Sequence, residues 1–297
     1  MKNKQAVGHI IAILTIAVWG TTYISTKILL EAFSPTEILI TRFVMGYAFL
    51  WLIHPKSEKV NSKKDELLFA AAGLSGMTLY YLLENVSLIY TSASNVGVII
   101  AAAPFFTAVL IKLAFKDEKS LSVNFVAGFL LAMAGIAMIS FNGARLHLSP
   151  KGDFLALLGA FMWGVYSVVI KKIGDGQYNT VFVTRRIFFW GVVTMLPIVL
   201  LGDFSPDTKQ LLQPKYLFNL LYLGLGASAI CFVTWNFAVK TVGAVKTSVY
   251  IYLTPVVTII TSIIVLGETL TPLATAGTAL VLAGLLISQN IHVKQKC

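Results

Sequence analysis

Residues 8–30 read GHIIAILTIAVWGTTYISTKILL, and residues 152–171 read GDFLALLGAFMWGVYSVVIK. Each stretch is apolar over the roughly 20 residues that a helix needs to cross the hydrocarbon core of a membrane. Each also contains a Trp-Gly pair, Trp19-Gly20 in the first and Trp163-Gly164 in the second. The two stretches therefore predict a membrane protein whose halves resemble each other.

The composition of the whole chain supports this class of protein. The chain has 297 residues, of which 57% are hydrophobic and 12% are charged, against about 25% charged residues in a soluble domain. The net charge of +10 would suggest a nucleic-acid partner in a soluble protein. Here the positive side chains lie mostly between apolar runs, where they orient helices. We therefore expect an all-α polytopic membrane protein in contact with lipid, and no nucleic-acid partner.

Apolar windows along the chain predict ten transmembrane helices. These spans cover approximately residues 8–30, 35–53, 67–89, 92–114, 122–141, 152–171, 179–201, 214–238, 244–266 and 271–289. With the N-terminus inside, fifteen Lys and Arg residues lie on the cytoplasmic side and four lie outside, namely Arg145, Lys151, Lys209 and Lys215. This bias predicts a multi-pass protein of the cell inner (plasma) membrane with both termini in the cytoplasm.

Matching features recur in the same order in the two halves of the chain. They are Trp19-Gly20 with Trp163-Gly164, Thr41-Arg42 with Thr184-Arg185, Asn85 and Pro104 with Asn236 and Pro255, and Gly128 and Gly135 with Gly277 and Gly284. The pattern predicts two five-helix repeats, at residues 1–147 and 148–297. Because five is odd, the second repeat is inverted in the membrane, which is an architecture of many secondary transporters.

The same residues carry a resemblance to a known family. Trp19-Gly20, Tyr90-Thr91-Ser92-Ala93 before Pro104, and Leu266-Gly267-Glu268 resemble the EamA-type branch of the drug/metabolite transporter superfamily, as two EamA units over nearly the whole chain. The first unit departs from the pattern at Lys116-Asp117-Glu118. The resemblance implies ten helices in inverted repeats, a central cavity walled by helices 1, 3, 4, 6, 8 and 9, and export of metabolites or amino acids.

Glu84 is the strongest candidate for chemistry. It lies in the third span, where a carboxylate costs on the order of 2.5–3.5 kcal/mol to insert. Tyr80 and Tyr81 share its helical face at i−4 and i−3. Three interpretations stay open: Glu84 contacts a proton or the solute, it pairs structurally with an arginine such as Arg42 or caps polar groups between helices, or it lies near the membrane interface without a specific role.

Two arginines and two aromatic stripes extend the candidate site. Arg42 and Arg185 lie at similar depths from opposite surfaces, so they either attract an anionic group of the solute or serve as snorkelling or ion-paired structural charges. Trp19, Thr22 and Tyr23 form one stripe, and Trp163 with Tyr166 begins the matching stripe. The stripes either anchor the protein at the membrane interface or line a cavity for an amphiphilic solute.

The remaining candidates lie on the later helices of each half. Asn85 and Asn236 either join helices or contact the solute. Pro104 and Pro255 break helical hydrogen bonds, so each is either a hinge or a fixed bend. Tyr250 lies near the inner end of the ninth span and completes the predicted pathway.

Together these observations predict a secondary active transporter that exports a small organic metabolite, such as an amino acid, by alternating access. Proton coupling, a passive facilitator, uptake in place of export, and a homodimer stay open. An intramembrane lipid-modifying enzyme is a remote alternative, because the sequence contains no HExxH, GxSxG or Cys-rich motif. No nucleotide-binding GxxxxGK[ST] loop occurs, and we expect neither a metal nor a cofactor.

Overall fold

The computed structural model describes residues 2–56, 58–90, 93–115, 121–140, 149–174, 178–201, 204, 208–266 and 271–289. Every regular element in these ranges is helical. The helices are α1 (Lys2–Leu29), α2 (Pro35–Ile53), α3 (Lys63–Ala72), α4 (Tyr80–Tyr90), α5 (Ala93–Ile100), α6 (Ala103–Ala114), α7 (Val123–Ser140), α8 (Pro150–Gly174), α9 (Thr180–Leu201), α10 (Thr208–Leu211), α11 (Pro214–Leu221), α12 (Cys231–Val242), α13 (Ala244–Ser248), α14 (Thr254–Leu266) and α15 (Pro272–Gln289).

Within the described ranges, eight helical segments are long and apolar enough to cross a membrane. The predicted span 122–141 corresponds to a shorter apolar helix, Val123–Ile139. The predicted span 244–266 corresponds to α13, a 3₁₀ turn (Val249–Leu253) and α14 in succession. The chain is therefore an all-helical, multi-pass membrane protein, as the composition indicates.

Polar caps determine where helices begin after the first connections. The Ser34 hydroxyl accepts a hydrogen bond from the backbone N–H of Glu37 at 3.3 Å, and the Glu37 carboxylate accepts one from the backbone N–H of Ser34 at 2.7 Å. This capping box, followed by Pro35 in the first turn, starts α2. At the start of α3, the Ser62 hydroxyl accepts a hydrogen bond from the backbone N–H of Asp65 at 3.1 Å.

Two predicted spans contain a π-helical turn near their middle. In the third span, Gly73–Leu79 joins α3 to α4, and in the eighth span, Tyr222–Ile230 joins α11 to α12. A π-helical turn rotates the helical face that follows it and leaves some carbonyl groups available to other donors. The turns therefore set the orientation of the residues that follow them on α4 and α12.

Pro104 and Pro255 both lie just after an interruption of their span. A turn at 101–102 separates α5 from α6, and Pro104 lies in the first turn of α6. In the other half, the 3₁₀ turn Val249–Leu253 precedes α14, whose second residue is Pro255. Proline lacks the backbone N–H of a helical hydrogen bond and is tolerated in the first turn of a helix, so both prolines lie where a new helical segment begins.

The two ends of the third span contact different parts of the second half. Near its start, the Tyr178 hydroxyl donates to the Asp65 carboxylate and accepts from the Asn61 N–H, both at 2.8 Å. Burial raises the pKa of Tyr178, so its hydroxyl keeps the proton that it donates. At the other end, Lys151 donates to the Tyr90 hydroxyl at 2.9 Å. The helical segment from Lys63 to Tyr90 is about 40 Å long. The loop before α3 and the start of α8 therefore lie at opposite ends of the helical bundle.

Helices α7 and α15 pack closely through glycines at reciprocal positions. A Cβ added to Gly135 would lie 2.5 Å from the carbonyl oxygen of Gly277, and one added to Gly277 would lie 2.7 Å from that of Gly135. Gly128 and Gly284 are related in the same way, with distances of 2.5 and 2.6 Å. Small residues at such crossings let backbones approach and gain dispersion contacts.

Replacing Gly135 with alanine is expected to separate α7 from α15, because backbone at 2.5 Å cannot yield as a flexible side chain can. Overpacking of this kind costs about 1–3 kcal/mol, and we expect a lower thermal unfolding midpoint for the detergent-purified protein. The matched control is Gly97→Ala, because a Cβ there meets nothing within 4 Å. Equal midpoints for the two variants would contradict the proposed role of the glycine contact.

Candidate functional site

Five aromatic side chains meet where α1, α4, α8 and α12 come together, and we call them the aromatic box: Trp19, Tyr80, Trp163, Phe232 and Trp235. The Trp19 ring centre lies 5.5 Å from that of Trp163 and 5.1 Å from that of Trp235. The Tyr80 ring centre lies 5.0 Å from that of Trp163, and the Phe232 ring centre lies 5.6 Å from that of Trp19. These spacings are typical of interacting aromatic rings.

The Trp-Gly pairs explain how α1 and α8 contribute to the aromatic box. Gly20 packs against Val257 of α14, with a hypothetical Cβ 2.6 Å from a Val257 methyl group. Gly164 packs against Phe106 of α6 in the corresponding way, at 3.0 Å. Each glycine lets a broken span approach its helix, while the preceding tryptophan packs among the other aromatic rings.

The indole N–H groups in the aromatic box differ in their bonding. Trp19 donates to the Ala227 carbonyl at 2.8 Å, and Ala227 belongs to the π-helical turn Tyr222–Ile230. The indole nitrogens of Trp163 and Trp235 are buried and have no hydrogen-bond partner among the described residues. A buried donor without a partner costs about 1–3 kcal/mol, so these two groups could gain a polar ligand.

Glu84 lies beside the aromatic box and is only 8% exposed. Its carboxylate accepts a long hydrogen bond from the Tyr80 hydroxyl at 3.4 Å. The hydroxyl of Ser87 donates to the backbone carbonyl of Glu84 and leaves the carboxylate free for other partners. The π-helical turn Gly73–Leu79 directly precedes α4 and therefore orients both Tyr80 and Glu84.

Arg42 of α2 is the cation that acts electrostatically on Glu84. It is 5% exposed, and its Nε donates to the Ser228 hydroxyl at 2.8 Å. Its guanidinium carbon lies 5.0 Å from the centre of the Tyr81 ring and 5.5 Å from that of Phe43. Within the described residues, Arg42 forms no direct ion pair with Glu84 or with any other carboxylate.

Arg185 occupies a different setting from Arg42, although the sequence pairs them. Its guanidinium donates to the backbone carbonyls of His54 and Lys56 after α2 and lies 3.8 Å from the centre of the Trp51 ring. The neighbouring Arg186 forms an ion pair with Glu66 at 2.7 Å. The structure therefore does not bring Arg185 together with Glu84.

The two repeated asparagines also differ. The Asn236 amide accepts from the Tyr166 hydroxyl at 2.8 Å and donates to the Thr184 hydroxyl at 3.1 Å. This buried chain of hydrogen bonds joins α8, α9 and α12. Asn85 is half-buried, and within the described residues its side chain forms no hydrogen bond. Of the two, only Asn236 has a visible structural role.

The other candidates lie around this centre. The Thr22 hydroxyl donates to the Trp19 carbonyl at 2.7 Å and so bonds within its own helix. The Tyr250 hydroxyl lies 2.7 Å from Nδ1 of His9 and joins the 3₁₀ turn to α1. The side chain of Tyr23 lies outside the described residues.

Trp235 is the main residue that the sequence reasoning missed. It is fully buried, and its ring centre lies 5.9 Å from that of Trp163. A signal for it existed, because Trp235 precedes Asn236 as Glu84 precedes Asn85. Trp235 in the second half therefore occupies the sequence position that corresponds to Glu84 in the first half.

Comparisons with known proteins agree on one family. The model of the EamA-like transporter family matches residues 6–141 and 150–289. An uncharacterized transporter of Archaeoglobus fulgidus is 28% identical over 88% of this chain and 89% of its own. A probable terminal-alkyne amino-acid exporter of Streptantibioticus cattleyicolor is 27% identical over 97% of this chain and 94% of its own.

A solved crystal structure is similar in fold, with a TM-score of 0.79 and 19% sequence identity. The match covers 95% of this chain and 98% of that chain. The fold described above is therefore shared with a protein of known structure along almost the whole chain.

The two asparagines supply a matched test of the hydrogen-bonded chain. Asn236→Ala removes the acceptor of the buried Tyr166 hydroxyl, so we expect a loss of about 1 kcal/mol or more in stability. Asn85→Ala breaks no described hydrogen bond and should change the thermal unfolding midpoint much less. A destabilisation by Asn85→Ala as large as that by Asn236→Ala would show that this assignment is wrong.

Proposed function

The chain belongs to the EamA-like transporter family, within the drug/metabolite transporter superfamily, and from that premise we propose that it is a secondary active exporter. Its solute is a small organic metabolite, either an amino acid or a related amphiphile. Export proceeds by alternating access and is coupled to protons. The similarity to the Streptantibioticus cattleyicolor protein, a probable terminal-alkyne amino-acid exporter, supports this choice of direction and solute.

The burial of the Glu84 carboxyl group inside a membrane span is the main support for this proposal. A carboxylate inside a membrane span is costly and is typical of a proton or ion pathway. Glu84 is buried, has one long hydrogen bond to Tyr80, and has no ion pair among the described residues. It lies beside the aromatic box, so a proton and an amphiphilic solute can be handled at the same place.

The architecture we propose is ten transmembrane helices in two inverted repeats, at residues 1–147 and 148–297. Three pairs of features support it: the π-helical turns in the third and eighth spans, the interruptions before Pro104 and Pro255, and the reciprocal glycines of α7 and α15. In inverted repeats, one half rocks against the other around a central site. Pro104 and Pro255 are the hinges in this proposal.

The orientation we propose places both termini in the cytoplasm of a cell with the protein in its plasma membrane. The excess of Lys and Arg in the loops on the side of the N-terminus supports it. The contacts of Tyr178 with Asn61 and of Lys151 with Tyr90 support opposite faces for the corresponding loops of the two halves.

Counterflow in proteoliposomes tests the transport proposal. We expect an unlabelled amino acid loaded inside the vesicles to accelerate uptake of the labelled one, since a carrier exchanges solutes across the membrane. A passive channel shows no such acceleration. The absence of counterflow for every amino acid, amine and organic acid tested would contradict the proposed function.

Glu84→Gln tests proton coupling, because glutamine keeps the shape of the side chain but cannot bind and release a proton. We expect an imposed pH gradient to accelerate transport by the unmodified protein and to leave transport by Glu84→Gln unchanged. The ratio of rates with and without the gradient is the measurement, so a change in affinity alone cancels.

Glu31→Gln is the matched control for this substitution. Glu31 is 53% exposed and forms a surface ion pair with Lys215, so its loss should leave the response to the gradient intact. Persistence of the full gradient response in Glu84→Gln would contradict the assignment of proton exchange to Glu84.

A further inference from the structure

Arg42 is a buried cation, and no carboxylate in the described part of the chain forms an ion pair with it. A guanidinium carries five N–H donors in a planar fork that matches a carboxylate. The Arg42 Nε donates to the Ser228 hydroxyl at 2.8 Å, its side chain also forms a hydrogen bond with that of Tyr81, and its guanidinium carbon lies over the Tyr81 and Phe43 rings. The fork therefore retains donors for a further acceptor at a place where water is scarce.

Glu84 is a buried acidic residue whose carboxylate, like the Arg42 guanidinium, has no ion-pair partner among the described residues. Its described side-chain hydrogen bond is the 3.4 Å contact with Tyr80. Two adjacent tyrosines link the two charges: the Arg42 guanidinium carbon lies 5.0 Å from the Tyr81 ring centre, and this ring centre lies 4.9 Å from that of Tyr80, whose hydroxyl bonds to Glu84. The two opposite charges are therefore near each other but not joined, and the arrangement can accept a molecule that presents both signs.

The aromatic box provides an apolar wall next to this pair. Tyr80 connects the aromatic box to Glu84. Its hydroxyl donates to the Glu84 carboxylate at 3.4 Å, and its ring centre lies 5.0 Å from that of Trp163. The buried indole nitrogens of Trp163 and Trp235, without partners among the described residues, add polar donors to a mostly apolar surface. Few polar groups on an aromatic surface are typical of a small-molecule site.

We propose that Arg42 and Glu84 are the two poles of a binding site for a zwitterionic α-amino acid. Arg42 binds the α-carboxylate, Glu84 binds the α-ammonium group, and an apolar solute side chain packs on the aromatic box. This inference rests on the proposed transport function and goes further, because it names the recognising residues and the charge pattern of the solute.

Charge balance favours a zwitterion over singly charged solutes. An amine would compensate Glu84 and leave the buried guanidinium of Arg42 without a carboxylate. An organic acid would compensate Arg42 and leave the carboxylate of Glu84 alone. Unpaired buried charges are costly, so a solute that satisfies both poles gains binding free energy from each.

The corresponding arginine of the second half supports a special role for Arg42. The Arg185 guanidinium donates hydrogen bonds to the backbone carbonyls of His54 and Lys56, so contacts within the chain explain its position. Arg42 has no such backbone partners in the described residues. The same residue type therefore serves as a structural tie in one half and, in this proposal, as a solute-binding group in the other.

A set of related ligands tests both poles on the full-length protein purified in detergent. The ligands are L-phenylalanine, L-phenylalaninamide, which lacks the carboxylate, and N-acetyl-L-phenylalanine, which lacks the ammonium group. We expect the dissociation constant for L-phenylalanine to be at least tenfold lower than for either derivative. Ligand-dependent thermal shifts give these constants, because a ligand of the folded state raises its apparent stability.

Substitutions at the poles should act on different derivatives. In Arg42→Gln we expect at least tenfold weaker binding of L-phenylalanine and binding of L-phenylalaninamide within about twofold of the unmodified protein. In Glu84→Gln the corresponding unchanged ligand is N-acetyl-L-phenylalanine. Arg42→Lys keeps the charge without the fork and should retain part of the preference for a carboxylate. Arg185→Gln is the matched control and should keep the preferences of the unmodified protein.

The outcomes separate this inference from the proposed function. If the unmodified protein binds L-phenylalaninamide as tightly as L-phenylalanine, Arg42 does not bind the α-carboxylate and the proposal is overturned. Equal weakening of all three ligands by Arg42→Gln also overturns it. Counterflow with amines or organic acids but with no amino acid leaves the transporter intact and overturns the zwitterion site. Absence of counterflow with every solute overturns both.

Discussion

A charged side chain inside the hydrocarbon region of a membrane is costly unless an opposite charge or a polar ligand compensates it. Arg42 and Glu84 are both buried and attract each other without forming a direct ion pair among the described residues. The two charges are instead contacted by polar and aromatic side chains. Ser228, Phe43 and Tyr81 contact Arg42, and Tyr80 contacts Glu84.

Local features of the backbone position the residues around these two charges. The π-helical turn Gly73–Leu79 orients α4, which carries Glu84, and the turn Tyr222–Ile230 supplies both Ser228 and the carbonyl that binds Trp19. The glycine contacts of Gly20 and Gly164 let the broken spans approach α1 and α8. These features position the helices that carry Glu84 and the Ser228 partner of Arg42.

The sequence predicts the membrane class and the helical segments, because these depend on hydropathy, and the two prolines mark the places where two spans are interrupted, because proline lacks a backbone N–H. The π-helical turns could not be predicted, since they depend on small shifts in backbone hydrogen bonding that no residue type marks. Symmetry also suggested equal settings for Arg42 and Arg185, but the loop after α2 provides carbonyls to Arg185. Trp235 could have been found from its register with Glu84.

An experimental structure of the protein with L-phenylalanine bound tests the central claim most directly. We expect the amino-acid carboxylate within hydrogen-bonding distance of the Arg42 guanidinium and the ammonium group within that distance of the Glu84 carboxylate, with the phenyl ring against Trp163. A ligand bound away from both side chains, or an Arg42–Glu84 ion pair that stays closed in the presence of the ligand, would contradict it.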